Sequence, residues 1–187
     1  MDILKIPPQV IPYMPIIPGL LGGALNRKAG KYYTTPMNGL EISSSAVTDK
    51  LTAVPFLVLQ EETFDRVGMH CLTAAAGLVR GGIYSDNNLE PASLIADFGA
   101  FDVSTTGSKE IVISLTLSPG VYWLAFVSNC AAVARTVSPC NILSIGSAKT
   151  SLSFVIAATF SYAELPATFP AYFFNDTLPI CLALRRA

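Results

Sequence analysis

Residues 111–134 read IVISLTLSPGVYWLAFVSNCAAVA and contain no charged side chain. By length alone such a stretch would cross a bilayer as a helix. Its pattern argues for strands instead. Ile111, Ile113, Leu115 and Leu117 fall on one side, and Val112, Ser114 and Thr116 on the other, the period of two that marks a half-buried strand. Pro119-Gly120 splits the stretch, and Ser114, Thr116, Ser118, Ser128 and Asn129 punctuate it. The reading is two strands, Lys109–Leu117 and Val121–Ser128, paired as a hairpin around Ser118-Pro119-Gly120. No membrane span is expected.

The same rhythm extends in both directions. Thr52–Leu59, Phe64–Thr73, Leu78–Ser85, Leu94–Val103, Ala132–Val137, Ser151–Tyr162 and Leu178–Leu184 read as further strands. Pro55 marks an edge or a bulge in the first of these. Small and polar runs separate them: Ala74-Ala75-Ala76-Gly77, Ser85-Asp86-Asn87-Asn88 and Ser104-Thr105-Thr106-Gly107-Ser108. Ser138–Lys149 reads as loop, with one helical turn at Ile142–Ile145. Eight or nine short strands without an amphipathic helix predict an all-β chain, an antiparallel β-sandwich. A jelly-roll-like order is the first choice and an immunoglobulin-like one the second.

Residues 1–31 differ from this body, 32–187. Five of the thirteen prolines lie in the first eighteen positions. Proline fixes φ and removes a donor, so IPPQVIPYMPIIPG reads as extended chain. Yet the segment is apolar, with Ile3, Leu4, Ile6, Val10, Ile11, Tyr13, Met14, Ile16, Ile17, Leu20 and Leu21. Extended chain with apolar side chains suggests a docking arm laid in a groove of another subunit or partner. Asp2 and Lys5 leave no clean basic region, and the prolines break the apolar run that an export signal needs.

Only 13% of the 187 residues are charged, about half the usual ~25%, and 51% are apolar. Disorder of most of the chain is thereby excluded. A net charge of −1 argues against electrostatic binding of nucleic acid. A surface this poor in charge suggests that copies of the chain, or a partner, cover part of it.

Chemistry-bearing constellations are sparse. There is no phosphate-binding loop and no nucleophile elbow. His70, the single histidine, reads as a strand residue rather than a general base. Glu61-Glu62 with Asp65 resembles a carboxylate pair but reads as a solvated cluster before a strand. Asp86-Asn87-Asn88 offers oxygen ligands without the further acids of a calcium loop. Cys71, Cys130, Cys140 and Cys181 lack zinc-like spacing and read as reduced thiols, with a Cys130–Cys140 bridge the weaker alternative. No metal, cofactor or catalytic residue is expected. Tyr32-Tyr33, at the junction of arm and body, and Tyr122-Trp123 are candidate oligomer or surface contacts, since aromatic rings with polar tips suit protein or carbohydrate surfaces, and Tyr122-Trp123 is expected to contribute to the core as well.

Several segments resemble one recurrent domain of tailed-bacteriophage virions. They are Gly30–Pro36 (GKYYTTP), Thr63–Gly68 (TFDRVG), Gly82–Asn88 (GIYSDNN), Thr105–Ile111 (TTGSKEI), Leu117–Ala125 (LSPGVYWLA), Glu164–Pro170 (ELPATFP) and Ile180–Leu184 (ICLAL). The resemblance runs from about Gly30 to the C-terminus. It implies a jelly-roll-like module of capsid decoration (cement) proteins and tail fibres, usually a homotrimer. The function so implied is non-enzymatic and structural: a capsid decoration protein resting on the major capsid protein. The alternative is a short tail fibre or receptor-binding protein, attached to a tail or baseplate protein and recognising host glycans. Either would place the chain in the virion, assembled in the bacterial cytoplasm. The chain is short, and without heptads or a collagen-like repeat it has nothing to build a fibre shaft. That favours the capsid.

Overall fold

A computed structural model describes residues 27–35, 37–45, 47–139, 155–174 and 178–187, with the backbone alone over 37–45 and 137–139. The apolar arm residues Ile3 to Leu21 and Cys140 lie outside the described residues, as do Ile142–Ile145. The described chain is all β and contains no helix, so none of its helices is long and apolar enough to cross a membrane.

Eight strands form the body: β2 (Met37–Ser45), β3 (Lys50–Val58), β4 (Glu62–Thr73), β5 (Leu78–Asp86), β6 (Pro91–Asp102), β7 (Gly107–Leu117), β8 (Gly120–Ser128) and β9 (Val133–Pro139). Their antiparallel pairings are nested. β5 pairs β6, β4 pairs β7, β3 pairs β8 and β2 pairs β9. One long hairpin is thus rolled up into two sheets, ordered β2-β9-β4-β7 (sheet I) and β3-β8-β5-β6 (sheet II). This is a β-sandwich in jelly-roll-like order. Four short strands extend it: β1 (Tyr32–Tyr33), β10 (Ile156–Thr159), β11 (Phe173–Phe174) and β12 (Ala183–Arg186). β12 lies beside the first half of β4, with β1 beyond it. β10 and β11 continue sheet II past β3.

Each expected strand overlaps an observed one, the last two only as β10 and β12, with residues 151–154 outside the described residues, and three expectations change. The turn at Ser118-Pro119 does not close a hairpin. β7 belongs to sheet I and β8 to sheet II, so the turn carries the chain from one sheet to the other. The nested roll gives each strand a partner distant in sequence, and adjacency in sequence loses to it. Pro55 is not on an edge strand, since β3 lies between β10 and β8. The ladder to β10 ends at Ala53, however, so beyond it that flank needs no donor from Pro55. Residues 138 and 139, expected in a loop, finish β9.

Side chains between the sheets make the main core. Phe56, Phe64, Val67, Ile83, Leu124, Leu182 and Leu184 are all buried there, each contributing roughly 1.5–3 kcal/mol of transfer free energy. Phe56 and Phe64 meet edge to face at 5.8 Å across the layers. A second core lies on the outer face of sheet II, where Leu51, Ala53, Tyr84, Trp123, Ala125, Val127, Ile156 and Ala158 cluster with Leu165 and Phe169. Strands β3 and β8 are buried on both faces, which explains their unbroken apolar runs in place of alternation. Residues 160–174 form the covering layer.

Polar groups fasten that cover. Leu165 N donates to Asp97 Oδ2 at 3.0 Å, and the Tyr84 hydroxyl donates to Pro166 O at 3.0 Å. Leu94 N reaches Ala167 O, and Phe169 N reaches Ala92 O. Asp97 is itself held by Arg80 Nε at 2.8 Å. Leu165 seats over Gly82, where an added Cβ would stand 2.2 Å from Leu165 Cδ1 and 2.8 Å from the Ala96 carbonyl oxygen. The glycine is the socket.

Gly82→Ala should therefore destabilise the fold by about 1–3 kcal/mol through overpacking, and Leu165→Ala by about 2–5 kcal/mol through the emptied site. Urea unfolding of both single variants and of the double variant tests the socket. The double variant should lose less than the sum, because part of the Gly82→Ala clash is with Leu165 itself. Strict additivity would refute the contact.

Candidate functional site

The chain joins the body at a buried ion pair. Arg27 Nη1 donates to Glu62 Oε2 at 3.1 Å, and Nη2 donates to Leu57 O at 2.6 Å. The guanidinium lies 4.6 Å from the Phe56 ring centroid and 5.3 Å from that of Tyr33. Arg27 is 4% exposed, and the Glu62 side chain is fully buried. Gly30 N donates to Arg186 O, and Arg186 N donates back to Lys31 O. Two corrections follow. Glu62 is not part of a solvated cluster; it opens β4 with its side chain directed into the core, as its register opposite Leu117 requires. The body also begins by Arg27 rather than at 32, because residues 27–31 are bonded to it.

The outer face of sheet I carries a shallow concavity. Gly68 on β4 leaves its floor open: an added Cβ there would lie 3.3 Å from Tyr32 Cε1. The Tyr32 ring can therefore cross β4 from β1, and its hydroxyl donates to Glu110 Oε1 on β7 at 2.6 Å. The resulting notch, of about 220 Å³, is lined by Tyr32, Gly68, Met69, His70, Ser108, Lys109, Glu110, Arg135, Cys181 and Ala183. Strand register explains the set, since β4 places His70 opposite Ser108 and Gly68 opposite both Glu110 and Ala183.

Its electrostatics are mostly satisfied internally. Burial, then the hydrogen bond to Glu110, pushes the Tyr32 phenol up to about 12. His70 Nδ1 lies 3.3 Å from Ser108 Oγ, and among the described residues no carboxylate is bonded to the imidazole. Lys109 Nζ donates to Thr105 Oγ1 at 2.6 Å. Beside the notch, the Arg185 guanidinium is bonded to both oxygens of Asp65 and holds that carboxyl below its usual range. Burial pushes the Cys181 thiol up, which makes it a poor nucleophile.

The other candidate residues fall elsewhere. Tyr33 is half-buried, and its hydroxyl accepts from Lys28 N at 2.6 Å; it fixes the strap of residues 27–31 to the body. Tyr122 packs on the main core and donates to Ser118 O at 2.8 Å. Trp123 is 1% exposed in the second core and presents no ring to a partner; as a surface contact it is corrected. Its indole N–H donates to Asp86 Oδ1 at 2.8 Å, while Asp86 Oδ2 accepts from Leu89 N. Both carboxylate oxygens of Asp86 are thus engaged within the fold. Cys71, Cys130 and Cys181 are free thiols. Sequence reading missed Gly68, Ser108, Glu110 and Arg135; an isolated glycine inside a strand was the one available signal of close approach.

No protein-family model matches the chain, and no curated protein matches it.

Because the folded Tyr32 stays protonated above its free value of 10.0, its contribution to stability is complete below pH 10 and fades as the pH rises toward 12. Urea unfolding of the parent and of Tyr32→Phe across pH 9 to 12 checks this. Tyr32→Phe should be weaker at neutral pH by about 1 kcal/mol or less, with a shallower alkaline decline than the parent.

Proposed function

We propose that this chain is a non-enzymatic structural protein of a tailed-bacteriophage virion, a homotrimeric decoration module on the capsid. The observation that carries the non-enzymatic part is how fully the ionisable side chains are committed to one another. Glu62 holds Arg27, Asp65 holds Arg185 and Asp97 holds Arg80, while Asp86 holds the Trp123 indole and Glu110 the Tyr32 phenol. Few groups are left poised as acid, base or nucleophile. The sandwich frame and the motif resemblance running through its strands and turns support the virion setting.

Assembly is supported by where apolar surface remains. Val112 is 72% exposed on β7 and Ile95 is 42% exposed on β6. These strands end sheets I and II, so both lie on the same flank of the sandwich. A neighbouring copy packed there would cover them and would relieve the shortage of surface charge. Residues 1–26 are the docking arm in this reading, leaving the body where Arg27 is clamped.

Copy number per purified virion, by quantitative mass spectrometry, tests the placement. A count comparable to the major capsid protein is expected, and a many-fold lower count would point to a tail fibre instead. Light scattering on the purified chain should give three times the 19.9 kDa chain mass. Truncation separates arm from body. Removing residues 1–26 should leave a folded trimer that no longer joins particles. Removing 1–31 should cost about 3–5 kcal/mol more, because Glu62 is then buried without its cation.

A further inference from the structure

Arg135 is the arginine that lines the notch on the outer face of sheet I. It stands on β9, half-buried, at the end of the notch formed with Cys181. Among the described residues its guanidinium has neither a carboxylate nor a hydrogen-bond acceptor. Of the nearby acids whose side chains the structure describes, Glu110 is taken by Tyr32 and Asp65 by Arg185. An arginine held half out of water without an acceptor leaves five N–H donors to be satisfied by whatever fills the space beside it.

That space has the means to hold a small ligand. His70 has Nδ1 engaged with Ser108, which leaves Nε2 and the serine hydroxyl available to the notch. The exposed edge of the Tyr32 ring, which Gly68 lets lie low over β4, supplies an apolar wall. The volume of about 220 Å³ lies below the roughly 300–1,000 Å³ of drug-sized sites, so the occupant is no larger than one sugar ring or one amino acid. Its charge is set by three side chains of the lining. Arg135 on β9 and Lys109 on β7 are cations and Glu110 on β7 is an anion, so the notch carries one net positive charge and suits an occupant with one negative charge.

We infer that this notch is a binding site for a small monocarboxylate, its carboxylate gripped by Arg135 in the bidentate manner guanidinium favours and its body lying against Tyr32. The inference is independent of the virion reading, because it rests on the geometry of one face of one chain.

Nuclear magnetic resonance titration of the full chain tests it. The probes are glucuronate and N-acetylalanine, each a monocarboxylate beside its neutral counterpart, glucose and N-acetylalanine amide, with inorganic phosphate as a further anion. The carboxylates should shift the amides of residues 68–70, 108–110, 135 and 181–183, and the neutral compounds should not. Response to glucuronate alone assigns the site to acidic sugars; response to N-acetylalanine alone assigns it to N-acylated amino acids with a single free carboxylate; either supports the inference. Arg135→Gln should weaken binding at least about tenfold. Ser108→Asp, on an exposed position that leaves the core untouched, should weaken it strongly by cancelling the net positive charge of the notch. Equal shifts from neutral compounds, tighter binding of phosphate, no shift at all, or unchanged binding by both variants would overturn the assignment.

Discussion

The outer face of sheet II is as apolar as its inner face, and two layers cannot hide both. Leu51, Tyr84, Trp123 and Val127 would stand in water if the sandwich ended at its second sheet. The chain answers with a third layer of its own, residues 160–174, laid across the sheet and tied at intervals to Asp97, Tyr84 and the backbone of β6. Asp49 fastens the start of the cover, its carboxylate accepting from Tyr162 N and its carbonyl from Phe160 N. Much else follows from this requirement: the alanines and glycine that keep the face shallow, the Arg80–Asp97 pair that presents an acceptor to the cover, and the long return of the chain before β12.

The same economy governs the two ends of the described body. Residues 27–33 and 182–187 are each too short to be stable alone, and they are held by one another. β1 pairs only with β12, and Arg186 reaches back to the Arg27 carbonyl. Thr34 Oγ1 donates to Leu182 O at 2.6 Å. The buried Arg27–Glu62 pair fixes this junction in position. It is an expensive device, with Arg27 Nε and Glu62 Oε1 lacking partners among the described residues, so its value lies in specifying where the strap sits more than in net stability.

Strand positions were legible because period-two alternation and turn residues are local signals, and the boundaries drawn from them agree with β3 to β8 within a few residues. Pairing was not legible. The Ser118-Pro119-Gly120 turn looks like a hairpin, and nothing in those residues reveals that β7 and β8 part to different sheets. β2 escaped notice because MNGLEISSS has neither clean alternation nor β-branched density. Glu62 was misread because its burial depends on a cation thirty-five positions upstream. The notch was invisible for a similar reason: Tyr32, Gly68, Ser108, Arg135 and Cys181 come from five separate segments, and only the register of sheet I brings them together.

Nesting of the pairs also sets an order in time. The ribosome delivers β2 first and β9 much later, whereas closure by loop entropy favours the short β5–β6 hairpin and then works outward. β2, β3 and β4 therefore emerge long before their partners and must wait, with both faces of β3 apolar and unpaired. The last piece, Leu182 and Leu184 with β12, closes the core only when the end of the described chain is free of the exit tunnel. A fold wired in this way belongs with the slow, non-local β topologies that take milliseconds to seconds. Its vulnerable species is the nascent chain, exposed to its neighbours on the same messenger.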